Sequence, residues 1–148
     1  MAVFFAKYLG YILTIALVVI AFIFKNINIF FLPVLAGLFS RFVVNELVYL
    51  FYKRKRPSEV IAVKTLIKTP KHPAFPSGHA SFFFALSFSL FYYSTNLGVI
   101  FLVLSFLISF FRIFVGVHRP TDILAGIAAG GASAVLIYPI FTWMLFNP

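Results

Sequence analysis

Arg112 is followed after five residues by His118, and His118 after three more by Asp122. Asp122 is one of only three acids in the chain. Four residues from the imidazole, it can accept one ring N–H, fix the tautomer and raise the basicity of the other nitrogen. That nitrogen is then free to attack. Arg56 and Arg112 add planar guanidinium forks that match phosphate oxygens, and fixed positive charge of this kind stabilises a phosphoryl group in transfer. Together these residue types suit phosphoryl transfer without a metal.

Two further clusters lie upstream. Pro76-Ser77-Gly78-His79 stands at the entry to an apolar segment, where proline fits a first helical turn and exposed backbone N–H groups can hold an anion. Lys53-Arg54-Lys55-Arg56-Pro57 closes the preceding apolar segment and, taken alone, reads as a juxtamembrane basic anchor. His72 lies in the intervening loop and is expected to face solvent or headgroups.

The elements that must position these groups are membrane helices. Of 148 residues, 63% are hydrophobic and 10% charged, against roughly 45–50% and about 25% in soluble domains. That excludes soluble enzymes, disordered tails and disulfide scaffolds. The net charge is +9. Its basic residues concentrate in one stretch between apolar segments, which topology and anionic lipid explain better than nucleic acid does. With no cysteine, neither a disulfide nor a thiolate metal site can form.

A span needs about 20 mainly apolar residues, and the chain reads as five: about 4–24, 29–52, 79–95, 97–116 and 122–145. The hydrophilic motif loop is 53–78. The first apolar run has no small-residue cleavage site and is expected to be retained. Ser94-Thr95-Asn96 and Gly98 are expected to turn span three into span four, and Gly126, Gly130 and Gly131 to permit close helix contact in span five. Arg41, Asn45 and Glu46 interrupt span two and should face protein or water. Arg41 and Glu46, five apart, do not share an ordinary helical face, so each is expected to find its partner on another helix. The abundant phenylalanines read as lipid-facing and core bulk. The fold class is all-α: a polytopic transmembrane bundle forming one domain, with every cluster at the same membrane face.

Arg56-Pro57, Pro76-Ser77-Gly78-His79 and Arg112-x5-His118-x3-Asp122, in this order among membrane helices, resemble the type 2 phosphatidic acid phosphatase family. Each motif is weak alone; the ordered triple is specific. The resemblance implies an integral-membrane lipid phosphatase that forms a phosphohistidine. His118 would be nucleophile, Asp122 its orienting partner and His79 the acid for the leaving oxygen. Arg56, Arg112, Ser77 and the Gly78 backbone would cradle phosphate, with no cofactor and no metal. Two positions depart from the family. Tyr49 replaces a lysine seven residues before Arg56, and Phe111 replaces the serine before Arg112. Lys53, one helical turn beyond Tyr49, or Lys55, beside Arg56, could supply the missing charge.

The implied partner is a lipid phosphate in the bilayer. Phosphatidate-type lipids, a polyprenyl diphosphate such as undecaprenyl diphosphate, phosphatidylglycerophosphate and lipid A all fit, with slight preference for the first two. A rival from another class is a non-enzymatic protein that holds anionic headgroups, but such a protein has no use for a carboxylate-oriented imidazole. The location expected is the plasma membrane. Loop lysines read by the positive-inside rule put the motif face in the cytoplasm, whereas the resemblance puts it outside; the outward arrangement is preferred here. Reporter fusions at both termini are expected to place Met1 outside and Pro148 in the cytoplasm, and the reverse result rejects that orientation.

Overall fold

In a computed structural model of the chain, the residues described are 2–60, 66 and 72–147. Lys64, Lys68 and Lys71 of the motif loop lie outside them. The described residues form helices α1 (Ala2–Lys7), α2 (Leu9–Ile23), α3 (Asn28–Phe39), a π-helical segment (Ser40–Val44), α4 (Asn45–Phe51), α5 (Pro57–Val60), α6 (Gly78–Leu90), α7 (Thr95–Phe114) and α8 (Pro120–Phe146), with no strand among them.

The run from α3 through α4, together with α7 and α8, is long and apolar enough to span a bilayer; α2 and α6 are shorter apolar helices. The first expected span is divided at Tyr8, between α1 and α2. The third is α6, only 13 residues long. It can be short because it is the central helix, packed by α3, α7 and α8, so protein takes the place of lipid around it.

Polarity is distributed as a bilayer requires. Ser40, Asn45, Ser81, Ser87, Ser105, Ser109 and Ser133 are buried, while Phe22, Phe51 and Phe146 are more than 80% exposed. Polar groups inside and large apolar groups outside suit a hydrocarbon solvent. Three of these serines find partners on another helix: Ser87 and Ser105 hydroxyls lie 2.9 Å apart, and Asn45 Nδ2 donates to Ser81 Oγ at 2.7 Å.

Three local expectations change. The reversal between α6 and α7 falls earlier than expected, at Phe91–Tyr93, because Ser94 caps α7 by accepting from the Leu97 N–H. Gly98 therefore lies within α7, where it gives room to the Phe91 ring. Pro76 precedes its helix instead of forming its first turn; Ser77 is the cap and accepts from Ala80 N–H. Arg41 and Glu46 bond each other, Nη1 to Oε1 at 3.2 Å. Ordinary α-helical spacing separates residues five apart, but both belong to a run whose π turn, with its i→i+5 bonding, brings such residues together.

The contact that delivers the motifs to one place is α6 on α8. A Cβ at Gly126 would lie 2.7 Å from Ala80 Cβ and 3.0 Å from Ser77 O and Ser81 N, and one at Gly130 would lie 2.7 Å from Ala85 N. Gly131 is looser, with the Phe88 ring 3.5 Å away. Gly126→Ala is expected to lower stability in detergent by about 1–3 kcal/mol through overpacking against backbone. Gly131→Ala is expected to leave stability unchanged or slightly raised. Thermal unfolding of the two variants checks the contrast.

Candidate active site

The α7–α8 connection turns at Gly116, with φ 78°, a backbone region open to glycine at little cost. It sets down His118 just before α8, whose first turn is shaped by Pro120 and by Asp122 accepting from the Arg119 N–H at 2.8 Å. Asp122 Oδ1 accepts from Arg54 Nη1 at 2.8 Å, and the same Nη1 reaches Thr121 Oγ1 at 2.7 Å. The carboxylate is fully buried, and Arg54, held above its ordinary basicity chiefly by this bond, is its charge partner.

The orienting contact to His118 is longer. His118 Nδ1 lies 3.6 Å from Asp122 Oδ2 but 3.1 Å from the carbonyl of Ala74, so the carbonyl is the nearer acceptor and the carboxylate acts through charge. On the other side, His118 Nε2 lies 3.3 Å from Arg56 Nη1. Arginine can only donate and a carbonyl can only accept. Both neighbours therefore demand one tautomer, with the proton on Nδ1 and the lone pair on Nε2. Burial pushes the imidazole down to about 4 against the opposing pull of Asp122, with Arg112 and Arg56 adding to the decrease. At neutral pH the ring is uncharged, with its Nε2 lone pair turned to a guanidinium.

Arg56 is buried and lowered from its ordinary value by that burial. It donates through Nη1 to Val117 O and through Nη2 to His72 O. The returning chain is stitched down beside it, Ala74 N–H donating to Arg54 O at 2.9 Å. The His72 side chain is exposed, as expected. Arg112, also buried, donates to Ala6 O at 3.2 Å and so ties the end of α1 to the site. Phe111 stacks on Phe5 with ring centroids 4.8 Å apart; the residue standing in for the family's serine serves this same junction.

The Arg56 and Arg112 Nε atoms are buried without a hydrogen-bond partner among the described residues. Neither guanidinium has an ion pair there. Burying an unpaired charge costs on the order of several kcal/mol, a cost that an anion bound between the two forks would offset.

The second cluster enters through the Ser77 N–H, which donates to Asp122 O at 2.9 Å. Ser77 is fully buried and its oxygen caps α6, while its hydroxyl proton has no acceptor among the described residues. Gly78 follows at the helix start, and His79 is exposed with its ring near that of Phe83. Tyr49 is buried and donates to Pro76 O at 2.9 Å. Where the family has a lysine, this chain has a neutral group holding the Pro76–His79 turn in place.

Lys53 is not brought in. The chain leaves the helix at Tyr52 in an extended conformation, so the helical face that would align Lys53 with Tyr49 does not reach it. Lys53 and Lys55 are both exposed. Sequence reading missed Arg54, which looked like one basic residue among four, and the Ala74 carbonyl, which no side-chain pattern reveals. Among the described residues no three His, Asp or Glu side chains gather as a metal cluster would require.

The fold and site are those of a helical membrane bundle with a neutral buried histidine beside buried guanidinium groups. The PAP2 superfamily matches residues 7–145, and the chain belongs to it. Among curated relatives it is 37% identical over 76 residues to "Bacitracin transport permease protein BcrC" of Bacillus licheniformis, covering 51% of this chain and 37% of that protein. To "Undecaprenyl-diphosphatase BcrC" of Bacillus subtilis (strain 168) it is 33% identical over 85 residues, covering 57% and 44%. The matched regions thus span less than half the length of these relatives. The crystal structure of a transmembrane PAP2-type phosphatidylglycerolphosphate phosphatase from Bacillus subtilis superposes with a TM-score of 0.65 at 20% identity, over 95% of this chain and 73% of that one, which establishes the shared fold.

The depressed imidazole predicts a pH dependence. A histidine whose folded value lies below its ordinary 6.5 stays neutral, and nucleophilic, as pH falls through 6.5; protonation follows only near 4. The His118 ring in the free protein should titrate near 4, well below a surface histidine, with the proton on Nδ1 throughout the neutral range. Nitrogen-15 NMR of labelled imidazole reads both.

Proposed function

We propose that this protein is an integral-membrane lipid phosphatase that hydrolyses a phosphomonoester or diphosphate of a lipid through a phosphohistidine. The observation that carries the reading is the His118 Nε2 lone pair 3.3 Å from Arg56 Nη1, beside two buried guanidinium groups without a carboxylate. A phosphoryl group placed between them meets a nucleophile and its charge partner together.

In the first step Nε2 attacks phosphorus, the P–O bond to the lipid breaks, and its electron pair leaves with the lipid oxygen, which takes a proton from His79. Arg56, Arg112 and the Ser77–Gly78 turn hold the equatorial oxygens as charge develops on them. Asp122 and the Ala74 carbonyl stabilise the ring that has given up its lone pair. In the second step water attacks the phosphohistidine, His79 accepts the water proton, and the P–N bond breaks to release phosphate and restore neutral His118. A headgroup at the ends of the helices leaves the lipid chain in the bilayer throughout. The relatives' printed names favour undecaprenyl diphosphate or a related polyprenyl diphosphate, with phosphatidate-type lipids, phosphatidylglycerophosphate and lipid A as the other substrates to try.

The site is read as opening outside the plasma membrane. On this reading loop lysines serve to attract an anionic substrate and Arg54 is paired with Asp122, so neither reports on topology as free loop cations do.

Purified protein in detergent with chelator present is expected to release phosphate from at least one of undecaprenyl diphosphate, phosphatidate, phosphatidylglycerophosphate and phosphorylated lipid A. His118→Ala is expected to lower release by at least about a thousandfold, as loss of a nucleophile does. A rapid quench with labelled substrate should trap acid-labile phosphate on the unmodified protein alone. Folded protein that releases nothing from the whole panel rejects the enzymatic reading in favour of a headgroup binder.

A further inference from the structure

One cation at this face is assigned no role by the family's motifs. Arg41 projects from the π-helical segment and lies against the start of α6: a Cβ placed on Gly78 would collide with Arg41 Nε and lie 2.7 Å from its Cδ. Gly78 is next to His79, whereas Arg56 is the guanidinium that touches His118. Beyond Arg56 and Arg112, the site therefore has a third guanidinium on a different element, next to the residue read as the leaving-group acid.

Arg41 is available for a ligand. Its side chain is about one-fifth exposed, and Nη1 donates to Glu46 Oε1 at 3.2 Å; no other hydrogen bond from its fork occurs among the described residues. Glu46 is itself half-exposed and holds the guanidinium from one edge. Phe42 and Val43, immediately after Arg41, line a lipid-facing hollow of about 460 Å³ that continues between α3 and α8 along Leu35, Ile137 and Ile140. A lipid chain lying there would pass Phe42, the residue that follows Arg41 in the chain.

The chemistry at this third position differs between substrate classes. A phosphomonoester expels an alkoxide, which needs a proton and no cation. A diphosphate expels a lipid monophosphate, whose second ionisation is at about 6, so it leaves as an anion and is stabilised by a fixed positive charge. We propose that Arg41, positioned by the π turn and by Glu46, binds the chain-proximal phosphate of a lipid diphosphate and makes the site selective for diphosphates over monophosphates. The terminal phosphate then lies between His118 and Arg56. The bridging P–O–P bond breaks, its electron pair departs with the proximal phosphate, and Arg41 neutralises that charge. This rests on the phosphatase reading above and names its substrate class.

The test is the ratio of kcat/KM for a prenyl diphosphate to that for the prenyl monophosphate of the same chain, measured on one preparation so that the folded fraction cancels. Arg41→Gln is expected to lower this ratio by about 10- to 100-fold, the range of a hydrogen-bonded charge contact. Arg41→Lys, which keeps charge but loses the fork, is expected to fall between. Phosphohistidine trapping on His118 runs alongside. Unmodified protein that cleaves neither substrate and traps no phosphate overturns the phosphatase reading and this inference with it. Trapped phosphate and turnover with a ratio unmoved by Arg41→Gln overturn the assignment of Arg41 alone.

Discussion

Two guanidinium groups, Arg56 and Arg112, are buried at one end of this bundle without a carboxylate to neutralise them, and much of the surrounding structure exists to keep them so. The three acids of the chain are all committed elsewhere. Asp122 is held by Arg54 and by the backbone of its own helix, Glu46 pairs with Arg41, and Glu59 accepts from the Arg56 backbone N–H. Carbonyl oxygens of Ala6, His72 and Val117 take some of the arginine donors, which satisfies hydrogen bonding without cancelling charge. The result is a low-dielectric site with standing positive potential, where a phosphate is worth more than in water.

Holding such charge in a membrane protein demands rigid backbone around it. The α6–α8 contact supplies this through Gly126 and Gly130, whose missing side chains let two backbones meet. Because Ser77 N–H bonds Asp122 O directly, the turn before α6 and the first turn of α8 form one unit. Tyr49 secures the other side of that turn. A lysine there would bring charge; the tyrosine brings a short, neutral hydrogen bond, and the charge at this side of the site comes instead from Arg41, delivered by the π segment.

The local wiring also separates two roles that one residue often combines. Tautomer control of His118 belongs to the Ala74 carbonyl and Arg56, one accepting and the other donating. Asp122, at 3.6 Å, contributes field and anchors the loop through Arg54. Its burial without solvent makes Arg54 a structural necessity for the site, even though that arginine touches neither histidine among the contacts described.

The all-helical membrane architecture was legible in the sequence, because hydropathy is a sum over neighbours in the chain and needs no knowledge of packing. The spacing also singled out Arg56, His79, Arg112, His118 and Asp122 as the set proposed to react, and Gly126 and Gly130 announced a close helix contact. Tertiary structure alone decided the partners. Lys53 left the site because α4 ends at Phe51 and the chain extends from Tyr52. Arg41 and Glu46 came together because a π turn changed the helical period, which no α-helical spacing rule anticipates. Arg54, Ala74 and Tyr49 acquired their duties from residues 27 to 68 positions away. Composition and short spacing fix what groups are present and what solvent they fold in. Which donor meets which acceptor depends on distances set by the whole bundle.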